Sequence, residues 1–526
     1  MKRLPCRVWL FAAALILVAQ MPYLVGYLNA PPGGAFTGNA FEQTRVDYNS
    51  HLAKMQIGLR GGWRYRILFT PEEHPGIFIQ PFYIALGHVA RLTGLSLVSV
   101  YHLARAVFTL AMVIAIWAFV ARFLPEDGVR WAALLLATVV GGLGWLLYLA
   151  APAQAADLAP IEFWLLDAYT FLAALTFPHF AASIALLLGF FLVLDRWLAA
   201  PDWRRIAWLT LCSLLLGWLQ PFDLLLTGLV VGVLVLWALA GRCLSLAQAL
   251  MLAPVAAAHL LAVGYHYVAL ESHPVWRAFA AQNLTLSPPP VYYLLGYCWL
   301  LVPAVVSGFR LRRGLRLPVV WVLVTALLLY APLPTQRRFL LGVQVPLAVL
   351  AAAGLEQGRQ WWLRQGGTAA RWRWLFTAAL SFSALTHALF LLSAIASVTP
   401  TARPRLFLGA DELAALAWLR EQPPETVVLA AFPSGGQAVA FSGRRAYLGH
   451  WIETPDFEAR SQQVSAFFDP AAMNDAERLA LLEGAGIDYV WHDDAARALG
   501  PWSPGEANFL RAAFASDSVM VYEVLP

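Results

Sequence analysis

Hydrophobic runs long enough to cross a membrane alternate with short polar stretches over the first three quarters of the chain. A basic start, Met1–Arg7, leads into an apolar run that ends near Leu28. Further runs fall near 106–121, 131–150, 177–195, 206–220, 222–240, 246–270, 290–309, 317–333, 338–355 and 374–397. Each approaches the ~20 residues that span ~30 Å of hydrocarbon, though 206–220 is short. The pattern predicts about eleven transmembrane helices. The first run outlasts the roughly 7–15 apolar residues of a cleaved signal, so it reads as an uncleaved anchor with its amino end inside.

Two stretches break the rhythm. Residues 31–105 form a long polar interval, inside which Ile77–Leu95 is apolar yet holds Gln80, Pro81, His88 and Arg91. Whether that segment crosses decides the side of every later loop, and the arginines decide between the two cases. If it does not cross, fourteen arginines from Arg122 to Arg373 fall inside, against Arg277, Arg337 and Arg338 outside. Crossing inverts that bias. Ile77–Leu95 is therefore expected at the outer interface as an amphipathic or re-entrant helix. The amino terminus is then cytoplasmic and residues 31–105 form the first outer loop. From about Thr401 the grease ends. Leu413, Leu416 and Leu419 mark an amphipathic helix, and Thr426–Ala430, Asp488–Trp491 and Val519–Val524 read as strands. The expected division is a membrane module over 1–400 and a small extracytoplasmic α/β domain over 401–526.

Composition agrees. The chain is 60% hydrophobic and 13% charged, against about 45–50% and about 25% for a soluble domain. The net charge of +5 rests almost wholly on arginine, since Lys2 and Lys54 are the only lysines. The arginines lie in short clusters, not the basic runs of a nucleic-acid binder. Cys6, Cys212, Cys243 and Cys298 form no CxxC, so no zinc site or disulfide frame is suggested.

Polar groups held beside a membrane are the candidates for chemistry. Asp47 and His51 share a helix face if their segment is helical, and an acid beside a histidine is a general-base arrangement. With Asn49 and Glu72 they can hold a cation or orient an acceptor hydroxyl. Glu72-Glu73-His74-Pro75 doubles as a helix start signal, which accounts for Glu73 and Pro75 better than for His74. Arg105, at the edge of a span, and the pair Arg337-Arg338 suit a phosphate. The loop 151–176 carries Asp157, Glu162 and Asp167 without a single Lys or Arg, and offers ligands for a divalent cation. His179 opens the next span and can line a substrate groove. Asp223 follows a proline at the least secure span boundary, and an ionisable group at membrane depth is a functional candidate. Ser434-Gly435-Gly436 reads as a turn, and His492-Asp493-Asp494 as a turn after a strand.

These pieces together resemble the first loop of GT-C glycosyltransferases. The resemblance rests on an acid soon after the first span, His74-Pro75 before an interfacial helix, and Leu103-Ala104-Arg105-Ala106-Val107 opening the second span. Arg337-Arg338-Phe339 followed by Gln344-Val345-Pro346 is similar to the late basic motif of the protein mannosyltransferase and aminoarabinose transferase branch. The likeness spans residues 1–397 in layout, through a few short motifs. It implies a sugar donor carried on a polyprenyl phosphate, a lipid, glycan or protein acceptor, and reaction outside the plasma membrane, the inner membrane of a bacterium. It also implies Asp47 as base or acceptor-orienting acid, with His51, Glu72 and His74 beside it. Arg105, Arg337, Arg338, Tyr48 and His179 would then contact substrate. A Mg or Mn ion would be held by Asp47 with Asp157, Glu162 or Asp167. Where the family often has two adjacent acids, this chain has Asp47 and Tyr48, which weakens the metal role more than the base role. The rivals are a secondary transporter, a polymerase or ligase of another fold, and a non-catalytic member whose tail binds a partner. No internal repeat of the transporter kind is evident.

Overall fold

The computed structural model describes residues 4–150, 160–308, 313–399 and 404–525. Each of the eleven apolar runs is helical. Among the described residues six helices are long and apolar enough to cross a membrane alone: Cys6–Leu28, Leu97–Phe123, Pro178–Ala199, Asp223–Ala240, Leu246–Glu271 and Ala369–Ser397. A seventh span is bent by 86° between Pro290–Gly296 and Cys298–Ser307. The other runs form helices that fail this test, so the expected count of eleven is not reached on length and composition. The chain is a multi-pass membrane protein.

Local chemistry sets several boundaries. Asp202 caps Trp203–Leu219 by accepting from the Arg205 N–H at 2.9 Å. Ser245 and Gln248 close a capping box, which satisfies two orphan donors of a helix start. The doubtful boundary falls at Gln220-Pro221-Phe222, between Leu219 and Asp223. Ile77–Leu95 contains only the 13-residue helix Pro81–Thr93, too short to cross.

The chain divides into two compact units. The first comprises Met1–Gln20, His102–Tyr265 and Leu284–Ser393; the second comprises Met21–Tyr101, His266–Asn283 and Ala394–Pro526. The first unit is a bundle of apolar helices. It carries an open apolar cavity of about 590 Å³ lined by Leu136, Val140, Trp299, Val302, Phe376 and Ala379 among others.

In the second unit the first polar interval and the chain end share one core. Strand β1 (Ala35–Phe36) pairs antiparallel with β2 (Phe407–Leu408). A mixed sheet follows from β3 (Val427–Leu429), β4 (Arg445–Ala446), β5 (Tyr489–His492), β6 (Leu510–Ala515) and β7 (Met520–Val524), in the order β4-β3-β5-β7-β6. One buried cluster joins Ala53, Tyr65, Phe69 and Ile84 of the polar interval to Trp276, Val439 and Ala446. Helix Arg45–Leu59 lies tightly on Pro81–Thr93. A Cβ on Gly58 would stand 1.9 Å from the Ile84 carbonyl oxygen, and one on Gly87 would stand 2.0 Å from that of Met55. Only glycine permits that approach.

Ser434-Gly435-Gly436 is not the expected turn. It lies inside the helix Phe432–Ser442, where a Cβ on Gly435 would meet the Leu448 carbonyl oxygen at 2.0 Å. Close packing overrides the poor helix propensity of glycine.

Candidate active site

Asp47 sits in the first turn of Arg45–Leu59, a position that favours an acid. Its side chain is 43% exposed, and Oδ1 lies 3.7 Å from Nε2 of His450. The His450 ring is buried, and its Nδ1 accepts from the N–H groups of Ile452 at 3.0 Å and Glu453 at 3.1 Å. A ring nitrogen that accepts carries no proton, so the neutral imidazole is protonated on Nε2, the side that faces Asp47. His450 was not singled out from the sequence. No local pattern ties it to an acid so distant along the chain.

The neighbours of Asp47 point elsewhere. Tyr48 is 2% exposed and donates to the Thr37 carbonyl at 3.1 Å. His51 stacks on Tyr83 with ring centroids 3.9 Å apart. One turn on, Lys54 donates to Glu453 Oε1 at 2.8 Å, where Ser50 also donates at 2.6 Å, and the Tyr65 hydroxyl donates to Glu453 Oε2. Burial works against the Glu453 charge. Lys54 and His450 overcome it and hold the carboxyl at about 2.

Glu72 and Glu73 join the polar interval to the chain end, and His74 is tied up within that interval. Glu72 receives bonds from Thr70 and Arg460. Burial works to raise its carboxyl, but those two donors bring it below the ordinary range. Glu73 pairs with Arg445 at 2.7 Å and with Arg66. His74 accepts from the Ile67 N–H at 2.9 Å, and its Nδ1 lies 2.8 Å from the Glu72 carbonyl oxygen. Burial pushes the ring down to about 4, so it is neutral at physiological pH. A depressed histidine stabilises the fold above its ordinary value near 6.5, and that contribution fades as pH falls toward 4. His74→Phe is therefore expected to cost about 1–3 kcal/mol and to flatten the loss of stability between pH 6.5 and 4 in thermal melts. An unchanged melting profile overturns this assignment.

The second cluster belongs to the first unit. Asp167 is 4% exposed, with Oδ2 3.9 Å from Nη1 of Arg338. Burial pushes its carboxyl above the ordinary range, while Arg338 and Arg337 pull against that. Arg338 keeps a buried Nε with no hydrogen-bond partner among the described residues. Arg337 lies over the Trp164 ring at 4.9 Å. Asp223 is fully buried at the start of Asp223–Ala240, with neither oxygen hydrogen-bonded among the described residues. It is close enough to Asp167 for their charges to interact. Glu162 is also fully buried, and its Oε1 accepts from the Gly144 N–H at 2.6 Å. His179 packs on Phe180, with ring centroids 4.2 Å apart. Asp157 lies outside the described residues.

Arg105 does not face open water. It is 1% exposed and donates to the carbonyls of Ala19 at 3.2 Å and Leu175 at 2.5 Å, and to the Gln20 side chain.

Among the described residues no three His, Cys, Asp or Glu side chains converge as a metal site. The charges of two carboxylates, Asp167 and Asp223, interact, and their oxygens are the donor type that Mg or Mn takes. The Asp223 oxygens, without a hydrogen-bond partner among the described residues, are open to a hard cation.

The fold has solved counterparts. ArnT from Cupriavidus metallidurans bound to undecaprenyl phosphate matches at TM-score 0.52 and 15% identity, over 98% of this chain and 97% of that one. The Archaeoglobus fulgidus oligosaccharyltransferase tethered with an acceptor peptide matches at TM-score 0.51 and 14% identity, over 99% and 74%. The arabinofuranosyltransferase AftD from Mycobacteria matches at 0.51 and 15%, over 98% and 42%. No family model matches the chain, and no curated protein matches it in sequence. The chain has the GT-C fold, a helical membrane bundle with a small sheet domain at its carboxyl end.

Proposed function

We propose that the chain is a GT-C glycosyltransferase. It moves a sugar from a polyprenyl-phosphate donor to an acceptor hydroxyl on the extracytoplasmic side of the plasma membrane. The observation that carries this reading is the overlap, nearly end to end in both chains, with a structure that holds undecaprenyl phosphate. The arginine bias of the loops supports the side of the membrane.

Asp47 takes the proton from the acceptor hydroxyl, with the His450 Nε2 facing its carboxylate at 3.7 Å. The acceptor oxygen attacks the anomeric carbon as the bond to the donor phosphate breaks. Arg338, with its free Nε, and Arg337 take up the charge on the departing phosphate, the electrostatic term that usually dominates such catalysis. The apolar cavity in the same unit suits a polyprenyl chain, which needs burial but no hydrogen bonds. A divalent cation held at Asp167 and Asp223 would supply further charge stabilisation at the phosphate.

The direct test is turnover. The purified chain in nanodiscs, given polyprenyl-phosphate-linked pentoses and hexoses with envelope lipids as acceptors, should release polyprenyl phosphate and yield a glycosylated product. Absence of transfer from every donor overturns the proposal. Arg338→Ala is expected to raise the donor KM or lower kcat by about tenfold to a hundredfold, the worth of one charged hydrogen bond. Arg338→Lys should recover part of the loss as a point charge. Equal activity in all three forms rules out Arg338 as the phosphate ligand.

A further inference from the structure

The second unit contains a cleft of about 290 Å³ that the transfer reaction does not use. Arg60, Arg64, Arg66 and Arg445 line it, with Glu425 as the one acid among its described lining residues. The volume lies near the lower limit of small-ligand pockets, about 300 Å³.

The lining is fixed by the fold. Arg60 donates to the carbonyls of Gly443 at 2.7 Å and Ser442 at 2.9 Å. Arg445 is 2% exposed and donates to the Thr70 carbonyl at 3.1 Å, to those of Pro71 and Glu72, and to Glu73. Arg66 reaches Glu425 at 2.8 Å and Glu73. Arg444, 6% exposed, stands close enough to Arg60 and Arg420 for their charges to interact. Arg66 and Arg445 thus share the carboxylates of Glu73 and Glu425, with Arg60 close enough to Glu425 for their charges to interact.

The charge balance points to a missing anion. Four guanidinium groups line the cleft against one carboxylate among its described residues. Arg444, with Arg60 and Arg420 close enough for their charges to interact, adds positive charge behind that wall. Like charges held together cost stability. A phosphate relieves that cost, because its oxygens match the planar guanidinium fork.

We propose that this cleft binds a phosphate group, carried on a small solute or on a lipid headgroup, at a site separate from the transfer chemistry. The proposal does not depend on the transferase reading.

The test uses the full chain and inorganic pyrophosphate as probe. At constant ionic strength, pyrophosphate should raise the melting temperature saturably, and chloride should not. Arg64 is exposed at the rim, so Arg64→Ala leaves the fold intact. It should weaken binding at least tenfold, as should Arg66→Gln. A second arm identifies the source. If phosphatidylglycerol nanodiscs abolish pyrophosphate binding and phosphatidylcholine nanodiscs do not, the ligand is a headgroup. Unchanged binding in both lipids assigns a soluble phosphate. No saturable shift, the same shift with chloride, or equal affinity in both variants overturns the site.

Discussion

Asp47→Asn is expected to lower glycosyl transfer by about 10²–10⁴-fold, the usual worth of a general base. The substitution keeps size and hydrogen-bonding capacity, but its amide cannot take a proton from an acceptor hydroxyl. The fold should tolerate it. Asp47 is the half-exposed acid of its helix, and its neighbour, His450 at 3.7 Å, is beyond hydrogen-bonding distance. The melting temperature should therefore move little while kcat collapses. His450→Gln offers a graded comparison. It removes the oriented N–H but leaves the carboxylate, so its loss should be smaller and should appear mainly in kcat. An Asp47→Asn form that retains full kcat, with its melting temperature unchanged, sinks the base assignment. A form that loses activity and melting temperature together assigns Asp47 to the fold instead.

The fold was legible wherever the signal was local. Long apolar runs marked the helices, and short ones marked Val427–Leu429, Tyr489–His492 and Met520–Val524 within a residue or two. The arginine bias also kept Ile77–Leu95 from being taken as a span, in agreement with its short helix. What sequence could not supply was long-range pairing. Ala35 meets Leu408, Arg445 meets Glu73 and His450 meets Asp47, all across most of the chain. Nothing in either partner's surroundings encodes the other. The site was half legible for the same reason. An acid in an outer loop stands out in a greasy chain, but whether it is free or tied to an arginine depends on contacts made elsewhere. Glu72 and Glu73 looked as available as Asp47 in the sequence, and both are held by arginines from the chain end. Lys54 stands out only as one of two lysines, and nothing near it in the sequence points to Glu453, the buried carboxylate that it neutralises.

That lysine carries the largest stability effect expected here. Lys54 and Glu453 are 2% and 4% exposed at the side chain and 2.8 Å apart. Lys54→Met leaves a carboxylate in a dry core with only the Ser50 and Tyr65 hydroxyls as donors. Breaking a buried pair from one side typically costs about 3–5 kcal/mol. The pH dependence separates this from mere loss of packing. In the natural chain the Glu453 carboxyl is held at about 2, below its ordinary 4.5. Its contribution is therefore complete above pH 4.5 and is lost as pH falls toward 2, because the unfolded chain binds the proton first. Removing the lysine leaves burial dominant and raises the carboxyl above its unfolded value. The folded variant then binds the proton first, and its stability rises as pH falls toward 4.5 and changes no further below it. A rise on acidification above pH 4.5 for Lys54→Met, against a loss below pH 4.5 for the natural chain, is the expected result. Parallel slopes would assign the loss to packing alone. Glu453→Gln in the Lys54→Met background removes the stranded charge and should recover part of the stability, because the amide can still bond to both hydroxyls.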